Sequence, residues 1–210
     1  MAKTTSNKTI DNSTEEKIKA AAQKVFHQKG YAATRTRDIA LEAGINLALL
    51  NYYFRSKQKL FNLIMEAALI KFMMSLKMVF NDEKTDLQTK VERICARYID
   101  LLIKEPELPL FIMNELRHHP QFIADKIEPL DSLSNSVFAT QFKEAVKKGS
   151  IRPTHMLHFI MNILGLAVFP FIAQPILKNI GKLNENQFKK LMMERKKLIP
   201  QWVKLMMNPT

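Results

Sequence analysis

Hydrogen-bond donors are concentrated between residues 36 and 57 of this 210-residue chain. Arg37 and Lys57 carry positive charges, Asn51 offers an amide, and Tyr52 offers a phenol. Donors of these types, together with the N-termini of helices, are the groups that phosphate oxygens select in protein–DNA complexes. The segment therefore predicts a surface that binds phosphate groups.

Two small residues in the same segment predict how these donors are positioned. Two helices that cross at close range need a small residue at the contact, which Ala40 provides. The turn between them needs a residue that tolerates a left-handed backbone, which Gly44 provides. Apolar residues flank this contact on both sides: Ile39 and Ala43 before the glycine, then Ile45, Leu50 and either Tyr53 or Phe54 after it.

This spacing predicts a helix-turn-helix, with helices over Thr36–Ala43 and Leu47–Phe54. Thr36 and Asn46 are the expected N-caps. The alternative is a generic helical hairpin, which would not need donors on its outer side. The donors around the turn favour the DNA-binding interpretation.

The rest of the chain also has helical periodicity, so the predicted fold class is all-α. Residues 1–12 are polar and are expected to form a disordered arm. A first helix is expected from Ser13 or Thr14 to Gly30, and a long fourth helix from Lys57 to the residue before Asn81. Further helices are expected over residues 86–104, 110–118, 130–148 and 155–169, and from 184 to about 207 with a kink at Pro200.

The net charge of +12 indicates an anionic partner, either nucleic acid or an anionic membrane surface. Residues 1–60 are the more densely basic part, with 11 Lys and Arg against 5 Asp and Glu. The lysine-rich segment QFKKLMMERKKLIPQWVKLMM could lie on a membrane surface. The apolar stretch 163–177 is too short to span a bilayer and is interrupted by two prolines. We therefore expect a cytoplasmic protein without a membrane partner.

Catalytic and metal-binding signatures are not found in the sequence. There is no GxSxG motif, no P-loop and no set of zinc ligands. The single cysteine, Cys95, lies on an apolar helical face and is expected to be inert. His155 and His158 have a spacing that permits metal binding, but no carboxylate or cysteine lies nearby. We expect no enzyme activity, no cofactor and no metal.

The chain resembles the TetR/AcrR family of bacterial transcriptional regulators. The resemblance rests on FHQKGY at the end of the first helix and on TRTRDIALEAGINLALLNYYFRSKQKLF, and it covers residues 14–62. It implies an all-α fold with a three-helix helix-turn-helix DNA-binding domain over residues 13–58. Residues 59–210 would form a larger helical domain for ligand binding and dimerisation.

The resemblance also implies roles for individual side chains on double-stranded DNA. Thr36 and Lys57 would hold phosphates at the starts of the second and fourth helices, and Tyr52 and Tyr53 would contact the backbone. Arg37 would reach a phosphate or a base edge, most often guanine for arginine.

The start of the third helix would face the bases. The residues there are Asn46, Leu47, Ala48 and Leu49, and Asn51 could add a base or phosphate contact. Leu47 and Ala48 suit contacts with thymine methyl groups. The chain departs from the family in having Arg35 in place of a small hydroxyl residue and in the apolar character of Leu47 and Leu49.

For the larger domain, the resemblance implies a small apolar or amphipathic effector and a homodimer. Its candidate pocket residues are Phe72, Tyr98, Phe111, Met113 and Phe138. Methionines on apolar helices can line an adaptable pocket, although they also occur in ordinary cores. The candidate dimer residues lie on the last two predicted helices: His158, Met161, Leu164, Val168, Leu198, Trp202 and Leu205. The expected function is a dimeric repressor that the effector releases from a quasi-palindromic operator.

Overall fold

The structure, a computed structural model, describes residues 3–118, 121 and 133–207. These residues form helices joined by short connections, with no strand among them, which confirms the all-α class. The helices are α1 (Lys3–Ala33), α2 (Thr36–Glu42), α3 (Leu47–Tyr53), α4 (Lys57–Phe80), α5 (Leu87–Lys104), α6 (Leu108–His118), α7 (Val137–Lys147), α8 (Met156–Ile172), α9 (Gln174–Ile180) and α10 (Glu185–Met207).

The chain divides into two compact units, Met1–Ala68 and Leu69–Thr210, here called the N-terminal and C-terminal units. The division lies within α4, whereas the sequence places the boundary after residue 58. The first turns of α4 contribute to the core of the N-terminal unit, because Phe61 packs edge-on against Phe26 with ring centroids 5.2 Å apart. No glycine or proline interrupts α4 to mark a boundary.

Helix α1 begins earlier than predicted. It starts at Lys3, so it includes most of the residues expected to form a disordered arm, while Met1 and Ala2 lie outside the described residues. No glycine or proline precedes Gly30, so nothing in the sequence stops the helix from extending toward the N-terminus. At Gly30 the backbone turns to φ 73° and ψ 167°, which interrupts the regular helix where it was expected to end.

The C-terminal unit has a core rich in aromatic side chains. Phe138 packs against Phe80 and Phe159, with ring centroids 5.4 and 5.9 Å apart. Phe142 contacts the same Phe159 ring at 5.3 Å. These rings join α4, α7 and α8 around one apolar centre.

Side-chain caps define several helix starts in this unit. Asp86, Ser136 and His155 accept hydrogen bonds from the first turns of α5, α7 and α8. Asn184 and Gln187 cap α10 reciprocally, with two hydrogen bonds of 2.9 Å. The predicted helix 130–148 is observed only in part: α7 begins at Val137, because Ser136 caps it there, and residues 130–132 lie outside the described part of the chain.

Helix α9 is an element that the sequence pattern does not predict. The region reads as an apolar stretch broken by prolines, but Pro175 lies in the first turn of α9, where proline is well accommodated. Over the described residues, no single helix is long and apolar enough to cross a membrane. Taken together, α8 and α9 are long and apolar enough to do so, but a bend of 73° separates them.

Candidate nucleic-acid interface

Helices α2 and α3 are separate helices joined by a tight turn, as predicted. Ile39, Ala40 and Ala43 are buried, so small and apolar side chains occupy the inner side of α2. Gly44 adopts φ 62°, the left-handed conformation that the prediction required. The turn is closed by hydrogen bonds from the Gly44 N–H to the Leu41 carbonyl (3.1 Å) and from the Ile45 N–H to the Ala40 carbonyl (3.0 Å).

Helix α3 packs into the protein through one side and is exposed to solvent on the other. Leu50 is 1% exposed and Phe54, just after the helix, is also buried. On the opposite side Ala48, Leu49 and Asn51 are exposed. The helix therefore presents Ala48 and Leu49 to solvent, two of the residues predicted to face base edges, together with Asn51.

Two tyrosines complete this exposed side. Tyr52 is 76% exposed, and its ring lies perpendicular to that of Tyr53 at a centroid distance of 5.4 Å. Tyr53 and Leu47 are half-buried. Exposed phenols of this kind can donate hydrogen bonds to phosphate oxygens.

Asn46 caps α3, as predicted. Its Oδ1 accepts a hydrogen bond of 2.7 Å from the Leu49 N–H. The cap occupies the side-chain oxygen and leaves the amide Nδ2 as the group that can donate to DNA.

The N-cap of α2 is Arg35, not Thr36, which corrects the predicted cap. The Asp38 carboxylate accepts a hydrogen bond of 3.0 Å from the Arg35 N–H, so a side chain inside the first turn satisfies the backbone at the helix start. Thr36 becomes the first helical residue and is half-buried, while Arg37 is exposed in the first turn. Both remain placed beside a helix N-terminus, where anions are favoured.

Ion pairs hold α2 against α1. Lys29 pairs with Asp38 at 3.2 Å, and Lys24 pairs with Glu42 at 2.5 Å. The hydrogen bond from the Arg35 backbone, followed by that from Lys29, lowers the pKa of Asp38. These partners occupy two lysines that the sequence alone would count as free positive charge.

The start of α4 contains a cap that was not predicted. Ser56 Oγ accepts a hydrogen bond of 3.1 Å from the Lys59 N–H. The available signal was a serine one turn ahead of the apolar helical run that begins at Leu60. The neighbouring Lys57 donates to the Tyr31 and Thr34 carbonyls, at 2.9 Å each, within its own unit.

The predicted pocket residues of the C-terminal unit do not all share one environment. The rings of Phe72 and Tyr98 pack together with their centroids 4.6 Å apart, and burial raises the pKa of Tyr98. Phe138 belongs to the Phe80–Phe159 cluster, and Phe111 is buried in α6. Met113 is 54% exposed, because α6 turns Phe111 inward and places the residue two positions later outside.

Cys95 is fully buried, and its burial raises the pKa of the thiol to about 12. The reactive thiolate is therefore scarce at neutral pH.

The predicted dimer residues differ in how much of each side chain is exposed. Val168 and Trp202 pack against the core of their own unit, and the Arg195 guanidinium lies 5.2 Å from the Trp202 ring centroid. Met161 and Leu205 are 47% and 69% exposed. His158 is exposed, and Leu164 and Leu198 are half-buried. The structure adds exposed apolar residues that the prediction omitted: Leu157, Phe169 and Leu191.

Comparison with known proteins gives a consistent result for the N-terminal unit. Residues 18–64 match the family model for bacterial regulatory proteins of the tetR family. The chain is also similar to the probable HTH-type transcriptional regulator YttP of Bacillus subtilis (strain 168). The two are 23% identical over 197 residues, which cover 91% of this chain and 93% of the relative.

Solved structures share the fold over most of the chain. A TetR transcription regulator from Haloarcula marismortui has a TM-score of 0.63 at 16% identity, covering 94% of this chain and all of the other (100%). The transcriptional regulator FadR from Bacillus subtilis, in complex with stearoyl-CoA, has a TM-score of 0.55 at 20% identity, covering 88% and 96%. At these identities the likeness shows the fold alone.

Proposed function

We propose that this chain, a DNA-binding transcriptional regulator of the tetR family, acts as a homodimeric repressor that a small apolar or amphipathic ligand releases from a quasi-palindromic operator. The family assignment rests on the matches described above. The repression, the dimer and the release by ligand are the proposed parts.

The exposed side of α3 carries the proposal. Its residues Ala48, Leu49, Asn51 and Tyr52 lie outside, while Leu50 holds the helix in place from within. A helix with this arrangement fits the major groove, where side chains at its start meet base edges. The apolar Leu47–Leu49 stretch suits thymine methyl groups, and Arg37 at the start of α2 suits guanine or phosphate.

The exposed apolar residues of α8 and α10 support a dimer. Leu157, Met161 and Phe169 recur at helical spacing on α8, and Leu191 and Leu205 are exposed on α10. A two-fold dimer built through these helices would carry two copies of α3. Copies spaced about 34–36 Å apart would enter successive major grooves, and the two-fold symmetry would then call for a quasi-palindromic operator.

A ligand can release the operator only if it binds the non-DNA-binding conformation more tightly. By linkage, DNA must then weaken ligand binding by the same factor. The structural neighbour FadR from Bacillus subtilis is in complex with stearoyl-CoA, so we take a long-chain acyl-CoA as the first candidate ligand. For the present chain, the Phe72–Tyr98 contact marks the apolar region where we place the ligand.

A binding titration with DNA from immediately upstream of this chain's own gene tests the DNA site. The double variant Arg37→Ala, Tyr52→Ala should bind this DNA about 10²-fold more weakly than wild type, because each side chain contributes on the order of 1–3 kcal/mol. Lys148→Ala, an exposed charge removal in the C-terminal unit, should bind as wild type does. Equal affinity of the double variant and wild type at moderate salt would reject the assignment.

The dimer has its own test. Met161→Glu, Leu205→Glu should shift the chain toward monomer in analytical ultracentrifugation, because charges would enter an apolar contact. Leu110→Glu is the matched control, since Leu110 is an exposed leucine on α6 outside the proposed contact. A double variant that remains dimeric would place the dimer contact elsewhere.

The ligand step can be tested with stearoyl-CoA as the first probe. Titrated into the protein–DNA complex, it should lower the DNA affinity, and DNA should lower its own affinity by the same factor. An effector that binds tightly but leaves DNA affinity unchanged would contradict the proposed release.

A further inference from the structure

The ammonium group of Lys57 is directed toward its own unit. Its Nζ donates hydrogen bonds of 2.9 Å to the carbonyl oxygens of Tyr31 and Thr34. It also lies 4.2 Å from the centroid of the Tyr31 ring, within the range of a cation–π contact. Lys57 is half-buried, so these contacts are partly shielded from water.

The two carbonyls lie between Gly30, where the regular helix of α1 is interrupted, and Arg35, the N-cap of α2. Residues 30–35, which include the last turn assigned to α1, are here called the α1–α2 connection. Carbonyls at the end of a helix lack partners within that helix and need them elsewhere. Lys57 supplies a partner for two of them, and charge-assisted hydrogen bonds are stronger than neutral ones.

Tyr31 has further contacts with the first turns of α4. Its hydroxyl donates to the Gln58 side-chain oxygen, and its ring packs on Phe61 at 4.6 Å. The Thr34 hydroxyl is also engaged, donating to the Gly30 carbonyl at 2.7 Å. Consecutive contacts therefore join the α1–α2 connection to the start of α4.

We propose that Lys57 is a positioning residue for DNA binding: it fixes the α1–α2 connection against α4, and thereby sets where Thr36 and Arg37 meet the operator. This inference rests on the proposed DNA-binding function and differs from the phosphate-contact role implied by family resemblance. A phosphate contact would require an ammonium directed outward, whereas two carbonyls and an aromatic face surround this one.

The residue type fits this role. An ammonium is compact and has three donors on a flexible stem, so it can enter the space between two carbonyls and a ring. A guanidinium is planar and wider and donates in a fixed fork. Lys57→Arg should therefore keep the charge but lose the contacts with the two carbonyls and the Tyr31 ring. A phosphate contact, in contrast, would tolerate arginine well.

The experiment measures the DNA affinity of the full chain over a range of salt concentrations, using the DNA upstream of its own gene. The proteins are wild type, Lys57→Met, Lys57→Arg and Lys59→Met. Lys59→Met removes the same charge from the same turn, at an exposed side chain. Circular dichroism establishes a temperature at which all four are folded.

We expect Lys57→Met and Lys57→Arg to bind DNA at least about tenfold more weakly than Lys59→Met, with the same dependence on salt as wild type. If Lys57 instead neutralised a phosphate, Lys57→Met would make the slope of log K against log salt shallower by about 0.9, and Lys57→Arg would restore it. That result would overturn the proposal. Unchanged affinity in the folded variants would also overturn it, since Lys57 would then serve stability alone.

A stability measurement separates this inference from the proposed function. In a double-mutant cycle, Lys57→Met and Tyr31→Leu should be non-additive in the thermal midpoint, because they remove the same interaction. If wild type shows no salt-dependent DNA binding, the proposed function fails, and the inference, which rests on it, fails as well. The cycle would still report the interaction itself. Additive effects in the cycle, with DNA binding intact, would reject the Lys57 inference alone.

Discussion

Cationic side chains occur around α2 and α3 in the N-terminal unit and along α10 in the C-terminal unit, and their surroundings differ. In the N-terminal unit, Arg37 is exposed beside the start of α2, so side-chain charge and backbone N–H groups act on the same region. On α10, Lys189, Lys190, Lys197 and Lys204 lie along the side of one helix. Positive charge alone therefore does not distinguish the two regions, whereas the placement of charge beside a helix start does, and we base the proposed DNA site on that placement.

The two units also differ in their apolar surfaces. The C-terminal unit exposes Met161, Phe169 and Leu205, which suits a contact with a second chain. In the N-terminal unit, α3 exposes apolar residues beside hydrogen-bond donors, which suits bases and phosphates.

Leu50 and Leu49 are neighbours on α3 with opposite environments, at 1% and 36% exposed. Leu50→Ala should lower the free energy of unfolding of the N-terminal unit by about 2–5 kcal/mol, because it empties a buried site. Leu49→Ala should change it by less than about 0.5 kcal/mol and should mainly alter DNA affinity. Native-state hydrogen exchange of α1 amides measures the stability. A similar loss of unfolding free energy in both variants would mean that Leu49 is buried as Leu50 is, which would contradict the exposed side of α3.

Gly44 and Gly149 form a matched pair across the two units, with φ of 62° and 72°. Alanine is sterically possible at both, since the nearest atom to a Cβ at Gly44 is Lys17 Nζ at 3.8 Å and nothing lies within 4 Å at Gly149. Each substitution should cost about 1–2 kcal/mol for the left-handed backbone.

Only Gly44→Ala should weaken DNA binding, because only Gly44 sets the turn between α2 and α3. Denaturant unfolding and DNA titration of both variants measure the two effects. A Gly149→Ala variant that loses DNA affinity as strongly would remove the distinction between the units.

Asp38 should give the smallest effect, because it is only half-buried and solvent screens its contribution. Its pKa is lowered in the folded state, so the carboxylate stabilises the fold above its unfolded-state pKa. This stabilisation is lost as pH falls through the lower folded-state value. Asp38→Asn should therefore be slightly less stable than wild type at neutral pH.

The difference between Asp38→Asn and wild type should disappear in strong acid. Thermal melts over a pH series check this, with Asp82→Asn as the counterpart in the C-terminal unit, where the pKa is also lowered. A stability difference between Asp38→Asn and wild type that grows as pH falls would mean that the pKa of Asp38 is not lowered in the folded state.

Local chemistry made the N-terminal unit predictable. The tight turn needs a small residue and a left-handed backbone, which Ala40 and Gly44 provide, and the start of α3 needs a cap, which Asn46 provides. These needs are local, so the turn and the α3 cap could be inferred from the sequence. The α2 cap was wrong because the side chain that satisfies the helix start comes from Asp38, inside the first turn. The contacts of Lys57 could not be predicted, since they join residues separated by 26 and 23 positions.

The C-terminal unit was less predictable because tertiary packing decides which apolar residues are inside. Met113 was placed in a pocket but is exposed, and Trp202 was placed in the dimer contact but packs partly on its own core. Helical periodicity identifies an apolar face, but it does not say whether the same chain or another molecule covers that face.

Hydrogen exchange of the full chain, with and without DNA from upstream of its gene, tests the central claim most directly. The account predicts that DNA slows exchange over residues 36–57 and leaves α10 amides unchanged. Slower exchange over residues 185–207, with residues 36–57 unaffected, would contradict it.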